Sequence, residues 1–222
     1  MKLKLCAALG FALLLAGCKS GIDAPVSLKQ AQQAQPTQVS ATFFTEVPAC
    51  EEYQTKMESS SVLEAKQKVG YVFPQAQYLG CKRVQFESFA NFQIPITIGG
   101  NVNQCPADAV CFAMKDNGTG AYFTIGKGLR SRFTKIKDGL LAFDESELQL
   151  RLKITNDLGK DLEVLFISGF VENGSKRSAY HAQGFGLKNG RSVTMIPSNA
   201  AVALAFDGGI SGLGVFSPAE AK

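Results

Sequence analysis

Strict alternation of apolar and polar residues is the feature that most constrains how this chain can fold. It runs through three segments, residues 39–47, 90–98 and 148–154. Because successive side chains of a strand point to opposite faces, a period of two indicates strands with one face in a core and the other toward solvent. In the second segment Pro95 cannot donate a ladder hydrogen bond, which predicts that this strand lies at an edge or contains a bulge.

Turn-forming dipeptides divide the second half of the chain. Such pairs tolerate positive φ angles and match the twist of two-residue hairpins, so we expect antiparallel strands around them. The pairs are Asn117-Gly118, Asn173-Gly174, Asn189-Gly190 and Asp207-Gly208. Residues 162–171 form a nearly continuous apolar run, which predicts a strand buried on both faces. Residues 202–206 are predicted as a further apolar strand.

Helical signals are fewer. Ser61 and Glu64 have the spacing of a capping box, and the residues after them predict a short helix that Gly70 ends. Its predicted apolar side consists of Val62, Leu63, Ala65 and Val69. Together the patterns predict a mainly β fold with a short helix, comprising an α+β N-terminal part and an antiparallel, β-sandwich-like C-terminal part.

The N-terminus has the three parts of a secretion signal. Lys2 and Lys4 supply a positive region, residues 5–15 are uncharged and apolar, and small residues follow. The apolar run is about half as long as a membrane-spanning helix requires. The closing residues Leu15, Ala16, Gly17 and Cys18 resemble the lipobox of bacterial lipoproteins. This resemblance implies cleavage before Cys18, diacylglycerol on its thiol and an acyl chain on its new amine. The alternative is an ordinary cleaved signal with an incidental cysteine.

The residue that follows the lipobox bears on location. In the Gram-negative pattern Asp at this position retains a lipoprotein at the inner membrane, so Lys19 favours the outer membrane, on its periplasmic side or at the cell surface. Membrane lipid is then a partner through the anchor, and we expect no cofactor besides that covalent lipid. We divide the chain into a signal peptide (1–17), a lipidated flexible tether (18–38), a disulfide-stapled α+β region (39–111), an antiparallel β-rich region (112–217) and a C-terminal tail (218–222).

Four cysteines remain once the signal has left and Cys18 is lipidated. They are Cys50, Cys81, Cys105 and Cys111. An even number in an oxidising compartment predicts two disulfides, for which three pairings exist. We favour Cys50–Cys81 and Cys105–Cys111. The cysteine spacing is wrong for a zinc finger and the only histidine, His181, is remote in sequence, so we expect no metal site.

Patterns typical of catalysis are weak. His181 is the only imidazole, and the chain has no Gly-x-Ser-x-Gly elbow. Carboxylates cluster at Glu51-Glu52 and at residues 144–147, where we expect them to be solvated. The formal charge of +4 falls by two when the signal leaves. The remaining charge of +2 is too small to predict nucleic-acid binding. We therefore expect a non-enzymatic protein without an evident small-molecule substrate.

A basic segment is the sharpest candidate for a binding surface. It places five positive charges within eleven residues, on Lys127, Arg130, Arg132, Lys135 and Lys137. Apolar residues at helical spacing, Leu129, Phe133 and Ile136, lie among them. If the segment is helical, the charges form a face suited to anionic headgroups. The alternative is a solvated surface.

Residues 47–50, 68–73, Cys81 and residues 89–95 together carry a resemblance that extends more weakly over most of the mature chain. They resemble an uncharacterised family of lipoproteins carried by bacteriophages and prophages of enteric bacteria. The insert around Cys105 is not part of the resemblance. Because the motifs are not catalytic, no active-site residues are implied.

The resemblance implies an envelope lipoprotein expressed by a lysogen. By analogy with phage lipoproteins as a class, we expect a binding protein that modifies the host surface or excludes related phage, with an outer-membrane receptor as a candidate partner. The first alternative is a structural subunit of an envelope or secretion assembly. The second is an envelope enzyme or lipid-handling module, which a deep apolar cavity or facing carboxylates would indicate.

Overall fold

Strands dominate the computed structural model, which describes residues 19–115, 118–136 and 148–219. The strands are β1 (Ser20–Ser27), β2 (Thr37–Val47), β3 (Gln77–Val84), β4 (Glu87–Ile98), β5 (Val110–Lys115), β6 (Gly120–Ile125), β7 (Leu148–Thr155), β8 (Leu162–Asn173), β9 (Lys176–Leu187), β10 (Ser192–Pro197) and β11 (Ser211–Pro218). The α-helices are α1 (Leu28–Ala31), α2 (Ser60–Val72), α3 (Lys127–Lys135) and α4 (Asn199–Phe206). The prediction of a mainly β chain with short helices is confirmed.

The strands form one sheet whose hydrogen-bonded path returns to its start. The order is β10-β7-β1-β2-β4-β5-β6-β11-β8, and β10 also pairs with β8, which closes a ring of nine strands among the described residues. β3 and β9 are attached outside this path, to β4 and β8. The sheet is mixed, because β1 pairs with β7 in parallel and β4 pairs with β5 in parallel. One sheet therefore joins the two regions predicted over 39–111 and 112–217.

Strand β1 overturns the prediction of a flexible tether over residues 18–38. It lies between β2 and β7, with Ser20 opposite both Thr45 and Leu148. Ile22 and Ala24 are buried in the core. The alternation of apolar and polar residues around Ile22 and Ala24 is short, and a polar, low-complexity run follows it. The sequence pattern therefore favoured an unstructured segment. The structure instead places Ser20, two residues after the lipobox cysteine, within the sheet.

A single helical turn, α1, follows β1 directly. Ser27 caps α1 by accepting a hydrogen bond from the backbone N–H of Gln30. An oxygen at this position satisfies one of the backbone donors that a helix leaves open at its start. Leu28 and Ala31 are buried, so α1 is part of the core.

A row of aromatic rings connects the sheet to three helices. The ring of Phe43 on β2 lies 5.4 Å from that of Phe73, which follows α2. Phe133 on α3 lies 5.7 Å from Phe73 and 5.1 Å from Phe206 on α4, both in edge-on geometry. Such edge-to-face pairs are favourable beyond the area that they bury. The four rings belong to a single core to which every strand except β3 contributes buried residues, β9 through Leu187 alone.

Two predicted helix and strand boundaries were wrong. α2 is capped by Ser59, whose hydroxyl accepts from the N–H of Val62, and the helix runs through Gly70 to Val72. Residues 202–206 belong to α4, which Ser198 caps by accepting from the N–H of Ala201. A cap followed by four alanines in eight residues favours a helix, and this outweighs the Asp207-Gly208 turn signal.

The long apolar strand in the second half is buried on one face only. Leu162, Val164 and Phe166 point into the core, whereas Leu165 and Ile167 are about half exposed, at 47% and 48%. The expectation that residues 162–171 are buried on both faces was wrong, because none of the described helices covers the outer face of β8. Asn173-Gly174 forms the predicted hairpin between β8 and β9. Asn189-Gly190 instead links β9 to β10, and these two strands pair with β8 rather than with each other.

Candidate functional site

The edge of β4 that faces away from β2 is split around Pro95. β3 pairs with this edge as far as Gln93, and β5 pairs with it from Thr97 onward. The N–H of Gly99 donates to the carbonyl oxygen of Phe112 on β5, at 2.8 Å. Because alternate residues of a strand point their backbone groups the same way, Pro95 also turns its backbone toward this edge. The missing N–H of Pro95 thus lies where no strand pairs, which confirms a local edge in an otherwise central strand.

A cleft lies over this split, and we define it by two adjoining depressions. One has a volume of about 150 Å³ and the other about 540 Å³. They share Gln38, Gln75 and Pro95. The smaller is completed by Phe73, Pro74, Thr97, Pro106, Asp108 and Ala109, and the larger by Val39, Ser40, Gln77, Gln93 and Ile94. We call this feature the glutamine cleft.

The glutamine cleft is polar but electrically neutral. Gln93 donates from Nε2 to the Ser40 hydroxyl at 3.0 Å, which orients its amide. The one carboxylate on the rim, Asp108, is paired with Arg132 at 2.7 Å. Each primary amide offers two donors and an acceptor, and the prolines add apolar surface between them. The cleft therefore suits hydrogen bonding to a neutral polar ligand, such as a glycan or an extended peptide.

Lys19, which precedes β1, lies at the end of β4 opposite the glutamine cleft. The backbone N–H of Lys19 donates to Glu46 at 3.2 Å, and the carbonyl of Lys19 accepts from the N–H of Glu46. The Lys19 ammonium pairs with Glu87, the first residue of β4. Eight residues of extended chain separate Glu87 from Pro95, a span of about 25 Å. The glutamine cleft consequently lies far from the point at which Cys18 joins the domain.

Both predicted disulfides are present. Cys50–Cys81 ties the segment after β2 to β3, with a Cα–Cα distance of 5.5 Å. Cys105–Cys111 has a Cα–Cα distance of 5.8 Å and closes a short loop before β5. That loop supplies Pro106 and Asp108 to the glutamine cleft, so the second disulfide restrains one of its walls.

The basic segment is helical, which meets the condition of the surface-binding hypothesis, but its two arginines bind within the protein. Leu129 and Phe133 are buried on α3 as expected. Arg130 donates from Nη1 to the carbonyl of Phe206 at 3.2 Å. Arg132 donates from Nε to the carbonyl of Val72 at 2.8 Å, in addition to its ion pair with Asp108. The proposed anionic-surface site is therefore wrong for both arginines, because their guanidinium groups join helices.

For the lysines of the basic segment, both anionic-surface binding and the alternative of a solvated surface stay open. Lys127 and Lys135 are exposed on α3, and Lys137 lies outside the described residues. Two lysines on one short helix are compatible with a solvated face. Anionic-surface binding by these lysines stays a prediction.

An ion cluster lies on the outer face of the sheet. Arg151 on β7 pairs with Asp23 on β1 at 2.7 Å and with Glu172 on β8 at 2.9 Å. Arg177 approaches Glu172 at 3.8 Å and stacks over the Phe170 ring at 4.2 Å. Burial raises the pKa of Asp23, and Glu172 adds to this effect, while the Arg151 guanidinium opposes it. The cluster links β7 to β1 and to β8, and β7 and β8 lie on either side of β10, whose pairing with β8 closes the ring. This linkage gives the cluster a structural role.

The other residues that the sequence singled out are dispersed. His181 is exposed on β9, and Glu52 accepts a hydrogen bond from the N–H of Ser60 at 3.0 Å. Residues 1–18 and 144–147, with the lipobox and the second acidic cluster, lie outside the described residues. Among the residues with described positions, no group of three His, Cys, Asp or Glu side chains could hold a metal ion. The same residues contain no helix long and apolar enough to cross a membrane.

Sequence patterns did not reveal the glutamine cleft. Its glutamines come from β2, β3, β4 and the segment before β3, and they meet through long-range strand pairing. One signal was available, since a proline within a strongly alternating segment marks a break in pairing. Glutamines flanking such a break could have been examined as a group.

A family model matches residues 20–221 of the chain, and its description is domain of unknown function DUF7424. The match covers the whole described fold, from β1 to β11. The chain therefore belongs to the DUF7424 family. Searches of curated proteins and of solved structures each found no match.

Proposed function

We propose that this protein is an outer-membrane lipoprotein, anchored by acyl chains on Cys18, which binds a ligand in the glutamine cleft and performs no chemistry on it. The lipobox residues support the anchor, and the two disulfides suit an oxidising compartment. The neutral lining of the cleft supports binding rather than catalysis.

One observation carries this proposal. The fold begins at Ser20, so a single residue, Lys19, separates the lipidated cysteine from a strand in the middle of the sheet. An anchor at that point holds one end of the sheet at the membrane, while Pro95 in the glutamine cleft lies six residues beyond Phe89, about 20 Å along β4. The cleft then lies at a distance from the bilayer, where a ligand can reach it.

The biological setting belongs to the same proposal. The resemblance of residues 47–50, 68–73 and 89–95 to phage and prophage lipoproteins supports expression by a lysogen. In that setting a membrane-held binding domain would modify the host surface or exclude related phage by occupying a receptor. The alternative is a structural subunit of an envelope or secretion assembly, in which a long flexible tether would bridge membrane and assembly. The pairing of β1 with β2 does not favour this alternative.

Replacement of Cys18 by Ser tests the anchor. We expect loss of the lipid mass on the N-terminal peptide and release of the protein from the membrane fraction. Persistence of both would contradict the lipoprotein assignment.

Paired cleft substitutions test the binding role. Cells that express the wild type are challenged with a phage panel, in parallel with cells expressing the double variant Gln75→Ala and Gln77→Ala. We expect the wild type to reduce plating of at least one phage and the double variant to restore it. Gln183→Ala, at an exposed glutamine on β9, is the matched control and should behave as wild type. Equal plating with and without the wild-type protein would contradict phage exclusion.

A further inference from the structure

The turn between β3 and β4 presents an aromatic residue to solvent. Val84 and Glu87 face each other at the ends of the two strands, and Gln85 and Phe86 form the turn between them. Phe86 is 93% exposed and Val84 is 57% exposed. Gln85 has a φ of +57°, a left-handed conformation that makes the turn tight. Two large apolar side chains exposed together at one projecting tip form a candidate contact point for an apolar surface.

The tip lies at the same end of the sheet as Lys19 and extends beyond it. Lys19 is level with Glu46, which in β2 lies opposite Phe89 on β4. Phe86 is three residues nearer the tip than Phe89, a projection of about 10 Å. The ion pair between Lys19 and Glu87 holds the first described residue against the base of this turn.

β1 runs from Ser20 away from this end of the sheet, so Lys19 is the residue of the described N-terminal segment that lies nearest the turn. One residue spans at most about 3.6 Å, so Cys18 cannot lie far from Lys19. A bilayer that holds acyl chains on Cys18 therefore meets the β3–β4 turn at the same level or deeper.

We propose that the β3–β4 turn inserts Phe86 and Val84 into the interfacial region of the phospholipid bilayer beside the acylated Cys18, and so sets the orientation of the domain. This inference rests on the proposed lipid anchor. Aromatic rings favour the interface between headgroups and acyl chains.

Charge at the base of the turn agrees with this occupant. Lys82 and Arg83 are exposed on β3, just behind the tip, and Lys19 neutralises Glu87. Basic side chains flanking an apolar tip are attracted to anionic headgroups. The turn thus combines the two interactions that hold interfacial segments at a membrane, while the acyl chains provide attachment.

A single-tryptophan experiment tests the inference, because the chain contains no Trp. The mature protein carrying Phe86→Trp is reconstituted into vesicles of phosphatidylethanolamine and phosphatidylglycerol. Leu165→Trp, at a half-exposed position on β8 across the ring from β4, is the matched control. We expect the Phe86→Trp emission to shift to shorter wavelength on reconstitution and to be quenched by brominated acyl chains. The control should show neither change.

The outcomes separate this inference from the anchor. Mass spectrometry of the N-terminal peptide reports the acylation of Cys18. If Cys18 proves unmodified, its thiol is coupled to a maleimide phospholipid and the fluorescence measurement is made on that adduct. Unshifted and unquenched Phe86→Trp emission in vesicle-bound protein would overturn the inference, as would equal quenching at both positions.

A double variant provides a second measurement. Lys82→Gln with Arg83→Gln should reduce the quenching of Phe86→Trp in anionic vesicles, with little change in vesicles of phosphatidylcholine alone. Undiminished quenching in anionic vesicles would remove the basic pair from the inference. The thermal unfolding midpoint of this variant serves to confirm that the fold is intact.

Discussion

The hydroxyl oxygens of Ser20 and Thr45 lie 2.9 Å apart, in a buried hydrogen bond between two strands. Ser20 is 5% exposed and Thr45 is fully buried, so the second residue after Cys18 is already part of the core. In the lipoprotein that we propose, a domain whose core begins this close to Cys18 would have little freedom to swing about its anchor.

Removal of β1 should prevent folding. β1 supplies the strand between β2 and β7, together with the buried side chains of Ile22, Ala24 and Val26. Its loss would expose backbone donors and acceptors of two strands in the interior. We expect a chain beginning at Lys19 to melt cooperatively by circular dichroism and a chain beginning at Leu28 to show no cooperative transition. A flexible tether would allow both to fold alike.

The two disulfides should differ in their contribution to stability. On the chain-entropy model, closing the 31-residue separation of Cys50–Cys81 stabilises by about 3–4 kcal/mol, and the six-residue separation of Cys105–Cys111 by about 2 kcal/mol. Pairwise replacement by Ala, followed by urea unfolding, measures each value. A larger loss from the Cys105–Cys111 pair would show that strain or unfolded-state structure dominates.

Arg132 should stabilise the fold more than its neighbour Lys135. Its guanidinium donates to the carbonyl of Val72 and pairs with Asp108, so Arg132→Gln leaves a partly buried carbonyl without its donor. We expect a loss of about 1–3 kcal/mol in the free energy of unfolding. Lys135→Gln, at an exposed position, is the control and should change it by less than about 0.5 kcal/mol. Similar effects at both positions would mean that Arg132 acts only as a surface charge.

Arg151→Gln should destabilise the protein in a pH-dependent way. The variant leaves the carboxylates of Asp23 and Glu172 without their shared cation, and we expect a loss of about 1–2 kcal/mol at pH 7. The pKa of Asp23 is already raised, and loss of Arg151 raises it further. The folded variant then binds more protons than the unfolded chain, so its stability improves as pH falls toward 4.

Urea titrations of wild type and variant at pH 7, 5.5 and 4 measure this effect. The stability difference between them should narrow as the pH falls. A difference that stays constant with pH would show that Arg151 contributes through packing and not through charge.

The sequence predicted the local structure best where one pattern acted alone. The alternation in residues 90–98 and 148–154 corresponds to β4 and β7 with the expected buried faces. α4 was mistaken for a strand because apolar content was weighed above the alanine content and the Ser198 cap, which both favour a helix. Both disulfides followed from the number and spacing of the cysteines.

Long-range pairing accounts for what could not be predicted. The parallel contact of β1 with β7 joins residues more than a hundred positions apart, and no local pattern specifies it. The glutamine cleft exists because β3 and β5 share one edge of β4, which is likewise a property of the whole sheet. Arg130 and Arg132 had the spacing of a surface patch, but the carbonyls that they bind lie on other helices.

The closed path of strand pairing has a consequence for the lipoprotein that we propose, which would be held at high density in two dimensions. Open sheet edges on neighbouring molecules pair readily when anchoring removes their freedom to tumble. In the described parts of the chain, unpaired edges remain at β3, at β9 and beside Pro95. Proline blocks the last, Gly80 breaks the register of β3, and Lys176 and Arg177 charge the end of β9. We therefore expect neighbouring copies in a crowded leaflet to remain separate molecules instead of joining edge to edge.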